Sequence, residues 1–198
     1  MTLTVANIVV PGPCKVYIAA YSASALEAAP SSSIAYGAAW AGNWVEVGYT
    51  KGGALLKSES EDLEVEMDQV NAPLTDYITK QGATMSFVAG EATLTNIKQA
   101  LGYGTVTSGS TESTLGVSAT DGLPTYYSVG FESYGHISGS MTTPKYRRAI
   151  IWKAKPKPEV ELKADKSEEQ VVAYSFAARY EPQATASERL YKLIDRVV

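Results

Sequence analysis

The chain has 198 residues, a formal net charge of −4 and 45% hydrophobic residues, enough for one sizeable core and mildly against a positive nucleic-acid-binding surface. Its one cysteine, Cys14, and one histidine, His136, exclude an intrachain disulfide and a cysteine-based zinc cluster, and a lone thiol fits a reducing compartment. No run approaches the roughly 20 apolar residues of a membrane helix, and no basic stretch precedes an apolar one at the N-terminus, so neither membrane insertion nor a signal peptide is expected.

In chain order, residues 1–13 are apolar and β-prone until Pro11-Gly12-Pro13 and read as an N-terminal arm. Residues 14–21 (CKVYIAAY) read as the first core strand. Residues 22–42 are rich in Ala, Ser and Gly and read as an inserted loop, with a short helix over 25–29 ended by Pro30. Residues 43–50 and 61–70 read as two strands joined by a long polar connection over 51–60. In the second strand Leu63, Val65 and Met67 fall on one face, and Glu64, Glu66 and Asp68 on the other. A row of like charges on one face costs stability, although a solvent-facing side of an antiparallel sheet gives the same pattern.

Further strands are predicted over 74–80 and 81–90. Leu94, Ile97 and Leu101 then fall at helical spacing, with Thr93 or Thr95 as the cap and Gly102 as the stop. Residues 104–124, dominated by Ser, Thr and Gly, read as a loop or a two-stranded excursion. Strands follow over 126–133 and 146–154, the latter with Arg147, Ala149 and Ile151 on one parity and Ile150 and Trp152 on the other. Residues 159–163 and 171–180 read as a last strand pair, and Leu190, Leu193, Ile194 and Val197 form one face of a C-terminal helix. The chain is therefore mainly β: a β-sandwich or barrel with one flanking α-helix.

Catalytic signals are thin. Cys14 sits in an apolar strand, where an inert buried thiol is the default, and His136 sits in a turn. Gly102-Tyr103-Gly104 lacks the rest of a dinucleotide loop, and only the carboxylates suggest an enzyme. Lys145, Arg147, Arg148, Lys153, Lys155 and Lys157 form a basic run beside Tyr146 and Trp152. That run reads as a nucleic-acid surface, as a solvated strand edge, or as a charge partner for the acidic loop of another subunit.

Several features in order carry a family resemblance: residues 44–53 (WVEVGYTKGG), the strand over 61–70, the helix ending at Gly102, and residues 171–182 (VVAYSFAARYEP). Together these resemble the major tail tube proteins of long-tailed bacteriophages, over residues 11–182. The resemblance implies a tail-tube domain over 14–182, with insertions at 22–42 and 104–124, between the N-terminal arm and a C-terminal tail over 183–198. It implies a structural protein without catalysis, metal or cofactor, assembled in the host cytoplasm and carried in the virion tail. Copies would form six-fold rings stacked into a hollow tube, with tape measure and tail terminator proteins as further partners. Thr50, Lys51, Gly52, Gly53, Lys57 and Glu59 would form the inter-ring loop, and Glu64, Glu66 and Asp68 would line the lumen, through which DNA passes without specific binding. The alternative reading is a β-sandwich virion decoration or host-surface adhesion module, motivated by 13 tyrosines and Ser/Thr/Gly-rich loops.

Overall fold

The computed structural model describes residues 9–10, 13–30, 34–67, 70–119, 122, 124–137, 140–158, 160–162 and 169–197. The frame is a single antiparallel sheet built from β1 (Val9–Val10), β2 (Cys14–Ala20), β3 (Val45–Glu46), β4 (Thr50–Met67), β5 (Val70–Ala89), β8 (Tyr127–Ile137), β9 (Ser140–Pro156), β10 (Val172–Ala178) and β11 (Lys192–Val197). A separate small hairpin, β6 (Thr105–Ser108) and β7 (Ser113–Gly116), is the two-stranded excursion predicted for that region.

Strand order in the sheet is β3-β2-β8-β9-β10-β5-β4. Its first and last members are consecutive in sequence, so the sheet curls until its ends meet. The Val47 N–H donates to the Val16 carbonyl at 3.0 Å, and the Gly90 N–H to the Tyr49 carbonyl at 2.8 Å. Gly48, at φ 98°, supplies the turn between these two contacts. The curl encloses the main core, where Val16, Ile18, Met85, Phe87, Val129, Ala149, Ile151, Tyr174 and Phe176 are buried. Mainly β architecture with one flanking helix is as the sequence predicts.

Helix α1 (Leu94–Leu101) packs Ile97 and Ala100 into this core. Thr93 Oγ1 accepts from the Asn96 N–H at 3.1 Å, and Gly102 closes the helix in the left-handed conformation. At eight residues the helix depends on packing, and the Tyr174 hydroxyl donates to its Asn96 carbonyl at 2.9 Å.

Residues 22–30 and 34–44 fold over the outer face of β2, β8 and β9. Trp40 and Trp44 form a second apolar cluster there with Tyr17, Ile150 and Trp152. A buried ion pair fixes this cover: Arg148 Nε donates to Glu132 at 3.0 Å, with side-chain exposures of 3% and 0%. Glu132 also accepts from the Gly37 N–H at 2.9 Å, the Tyr17 hydroxyl at 3.3 Å and Trp40 Nε1 at 3.4 Å. Arg148 Nη2 donates to the Ile34 carbonyl at 2.8 Å. Burial, and next the Glu132 charge, push the Tyr17 hydroxyl well above the ordinary tyrosine range. Arg148 therefore serves the interior, not a basic surface.

Five sequence expectations are corrected by tertiary pairing. Residues 51–60 are not a loop. They belong to the 18-residue strand β4, whose partner β5 merges the two strands predicted over 74–80 and 81–90. Polar side chains on both faces hide the alternation, while the backbone ladder is indifferent to them. The predicted strand over 43–50 shrinks to β3, because the chain leaves β2 there to join β5. No helix forms over 25–29, where Leu26 and Ala29 instead pack against the second cluster. The described residues 160–162 form no strand, and β10 pairs with β5 and β9 instead. The C-terminal face predicted as helical is a 3₁₀ turn at Ala186–Glu188 followed by β11, laid along β9 from Lys192 opposite Ile150 to Val197 opposite Lys145. That edge offers the tail a full ladder of partners, which outweighs a weak helical spacing.

Candidate assembly interface

β4 and β5 form one long hairpin. Its root belongs to the body: Ala54 and Leu56 pack against the core, and Thr50 Oγ1 donates to the Cys14 carbonyl at 3.3 Å. Lys51 pairs with Ala54's neighbour strand through Val88, and Gly52 and Gly53, at φ 77° and 80°, form the bulge that lets β4 resume at Ala54 opposite Phe87. From Ser58 opposite Ala83 outward, all described β4 side chains to Glu64, and those of Tyr77 to Gln81 on β5, are exposed. Residues 58–67 reach about 30 Å along the strand at ~3.3 Å per residue.

Two faces of this arm follow from the register. Lys57, Glu59, Glu61 and Leu63 share one face of β4, with Lys80 opposite Glu61 and Tyr77 opposite Leu63. Ser58, Ser60, Asp62 and Glu64 share the other, with Ile78 opposite Asp62. Lys80 bonds Glu61 at 2.6 Å, and Lys57 is ion-paired with Glu59. The Lys57 hydrogen bond, then its charge, hold the Glu59 carboxyl below its ordinary range, with smaller contributions from Lys157 and Lys80. Apolar side chains are exposed along the same arm: Leu55 at 59%, Leu63 at 55%, Tyr77 at 59% and Ile78 at 61%.

The structure thus brings Thr50, Lys51, Gly52, Gly53, Lys57 and Glu59 together along one strand, from hairpin root to arm. Glu64 lies exposed further out. Glu66 is part of β4, but its side chain is outside the described residues, as is Asp68 altogether. Cys14 and His136 do not meet: β2 sets Cys14 opposite Ser133, and His136 lies opposite Val10. Burial pushes the Cys14 thiol up to about 11, opposite to what a nucleophile needs. Among the described residues no group of three or more His, Cys, Asp or Glu is placed to hold a metal ion.

Part of the basic run read in the sequence lies on a second exposed surface. Across the non-core side of the sheet, Lys155 lies opposite Ala177, Ala177 opposite Thr84, and Thr84 opposite Lys57. Lys157 Nζ lies 3.5 Å from Thr84 Oγ1. Lys155 and Lys157 belong to the basic run of the sequence, and the cross-sheet register adds Lys57 from a distant stretch.

A long exposed hairpin with apolar side chains is a candidate assembly surface. The model of the family described as phage tail tube protein matches residues 1–132. The chain belongs to the phage tail tube protein family. A tail tube protein is a structural protein of the bacteriophage tail and self-assembles into a tube, so the chain is a virion component and not an enzyme. No helix among the described residues is long and apolar enough to cross a membrane. A search of curated proteins finds no match.

Proposed function

We propose that this tail tube protein forms six-fold rings that stack into a hollow conduit for DNA ejection, with the β4–β5 hairpin as the arm that joins one copy to the next. The arm carries this reading. An isolated two-stranded hairpin is marginal in water, and this one leaves Leu63, Tyr77 and Ile78 more than half exposed. Seating each against a neighbouring copy contributes roughly 1.5–3 kcal/mol. A heterologous contact of this kind closes into a ring or propagates as a filament. Thr50, Lys51, Gly52, Gly53, Lys57 and Glu59 make inter-ring contacts as part of the arm and its root.

The acidic face of the arm, with Glu64, Glu66 and Asp68, lines the bore. A negative wall repels phosphates, so DNA slides without settling, and only charges within about 8–10 Å of it act at ordinary salt. Tape measure and tail terminator proteins complete the tail, and assembly takes place in the host cytoplasm.

Negative-stain microscopy of the purified protein tests the assembly. Rings or tubes are expected, and a strictly monomeric species at high concentration sinks the reading. Replacing residues 59–82 by Asn-Gly should leave a folded monomer, since Ser58 and Ala83 are already paired neighbours. Tubes formed without the arm would show that it is not the joining element. Lysine replacements at Glu64, Glu66 and Asp68 should leave tubes intact but impair DNA delivery; normal infectivity would place these residues away from the bore.

A further inference from the structure

At the root of the arm, on the non-core side of the sheet, lies a concavity of about 370 Å³ lined by Lys155, Pro156, Lys157, Pro158, Ala177 and Arg179, with Ser175 also in the lining. No carboxylate lines it. Among the described residues Lys155 and Arg179 make no ion pair, and Lys157, which contributes a small charge effect at Glu59, lies 3.5 Å from the neutral Thr84 hydroxyl. The uncharged lining of the concavity is compact: Ser175, Ala177 and the two prolines. Such a site admits the close approach of another backbone and attracts negative charge.

The same chain carries the complementary element. Residues 58–67 and 70–81 hold Glu59, Glu61, Asp62, Glu64, Glu66 and Asp76 against the single cation Lys80, a net charge of −5. One face of the arm presents Glu59, Glu61, Leu63 and Tyr77 together. Its carboxylates match the lysines and arginine, and its apolar pair matches the prolines and alanine. Within one copy Glu59 is hydrogen-bonded to Lys57 and feels Lys157 only as a smaller charge contribution, and the carboxylates beyond it lie along an arm that leads away from the root.

We propose that the Lys155–Lys157–Arg179 cleft is the receptor for the Glu59/Glu61/Leu63/Tyr77 face of the hairpin of a second copy. This rests on the hairpin being the joining arm, and it names the surface that the arm meets. The contact is head-to-tail: the root of one copy receives the arm of the next, and each copy carries both halves. It leaves the opposite face of the arm, with Asp62 and Glu64, free to face the bore.

A charge-exchange experiment on full-length protein tests it. Lys155→Glu/Arg179→Glu gives a negative cleft with a negative arm. Glu59→Lys/Glu61→Lys gives a positive cleft with a less acidic, locally positive arm. Each variant, shown folded by circular dichroism, should need at least a tenfold higher concentration to form tubes, read by sedimentation and microscopy. An equimolar mixture should recover assembly near the wild-type concentration, because each cleft then meets an arm of opposite sign.

Tubes from either variant at the wild-type concentration, or a mixture no better than its components, overturns the cleft assignment while leaving the arm reading intact if wild-type protein polymerises. Failure of wild-type protein to polymerise overturns both. A duplex DNA of about 20 base pairs serves as the competing probe. If Lys155→Glu/Arg179→Glu abolishes its binding by fluorescence anisotropy and leaves tubes unchanged, the cleft is a phosphate-contacting surface and the proposal fails.

Discussion

Glu132→Ala isolates what the buried ion pair does. The substitution leaves the Arg148 guanidinium, 3% exposed, with its charge uncompensated. It also strips an acceptor from the Gly37 N–H, the Tyr17 hydroxyl and Trp40 Nε1. Breaking a buried pair from one side costs about 3–5 kcal/mol. At roughly 2–4 °C per kcal/mol for a chain of this size, Tm should fall by about 6–20 °C. Hydrogen exchange should rise first over residues 34–44, which this network holds to the sheet. Glu132→Leu/Arg148→Met removes both charges and leaves the Gly37 N–H, Trp40 Nε1 and the Ile34 carbonyl to be rehydrated, while the Tyr17 hydroxyl keeps the Ala38 carbonyl at 3.4 Å. That double variant should be less destabilised than Glu132→Ala, by calorimetry. A fall of less than about 3 °C for Glu132→Ala, or a double variant that costs the sum of the two single losses, would refute the account of a coupled buried pair.

Three further outcomes follow from close approaches and burial. A Cβ at Gly130 would lie 2.7 Å and 2.8 Å from Trp40 ring carbons and 3.0 Å from the Ala149 carbonyl, so Gly130→Ala should cost about 1–3 kcal/mol and shift tryptophan emission; unchanged emission would mean that Trp40 does not rest on β8. Gly102→Ala combines a φ of 78° with a Cβ 2.7 Å from Pro156 Cγ and should cost about 1–3 kcal/mol in urea unfolding, a cost absent if the helix end is not held there. The Cys14 thiol, raised from 9.0 to about 11, stays protonated in the fold, so its stabilisation is fully present below pH 9 and is lost as pH rises towards 11. At pH 8 its thiolate population is roughly 100-fold below that of the unfolded chain, so labelling by iodoacetamide should be slowed at least that much; equal rates in native and denatured protein would contradict its burial.

What the sequence made legible was whatever one element decides alone. The Thr93 cap, the three apolar positions of α1 and the Gly102 stop sit within ten residues and report the helix directly. The parity of residues 146–154 was also readable, because each face of β9 is buried against a different cluster: Ala149 and Ile151 in the main core, Ile150 and Trp152 under the cover. What failed needed a distant partner. Leu190, Leu193, Ile194 and Val197 look helical by spacing, yet the unpaired edge of β9 decides their structure. Arg148 looks like one more surface cation until Glu132 pairs with it from sixteen residues away.

The hairpin shows why the candidate site was only half readable. The sequence assigns residues 51–60 to a loop, because beyond Leu56 the strand is exposed on both faces and carries no apolar period. Such a strand survives in the free chain only through its ladder and a few ion pairs, each worth little at an exposed site. Its missing buried face is therefore not in this chain's own core. The cations that match it come from β9, from the turn after β9 and from the end of β10, and pairing across the sheet is what brings them to one surface. A sequence pattern marks an interface when one segment builds it. Here one copy's arm and another copy's sheet are both needed: the basic run hints at Lys155 and Lys157, and only the sheet register adds Arg179 beside them.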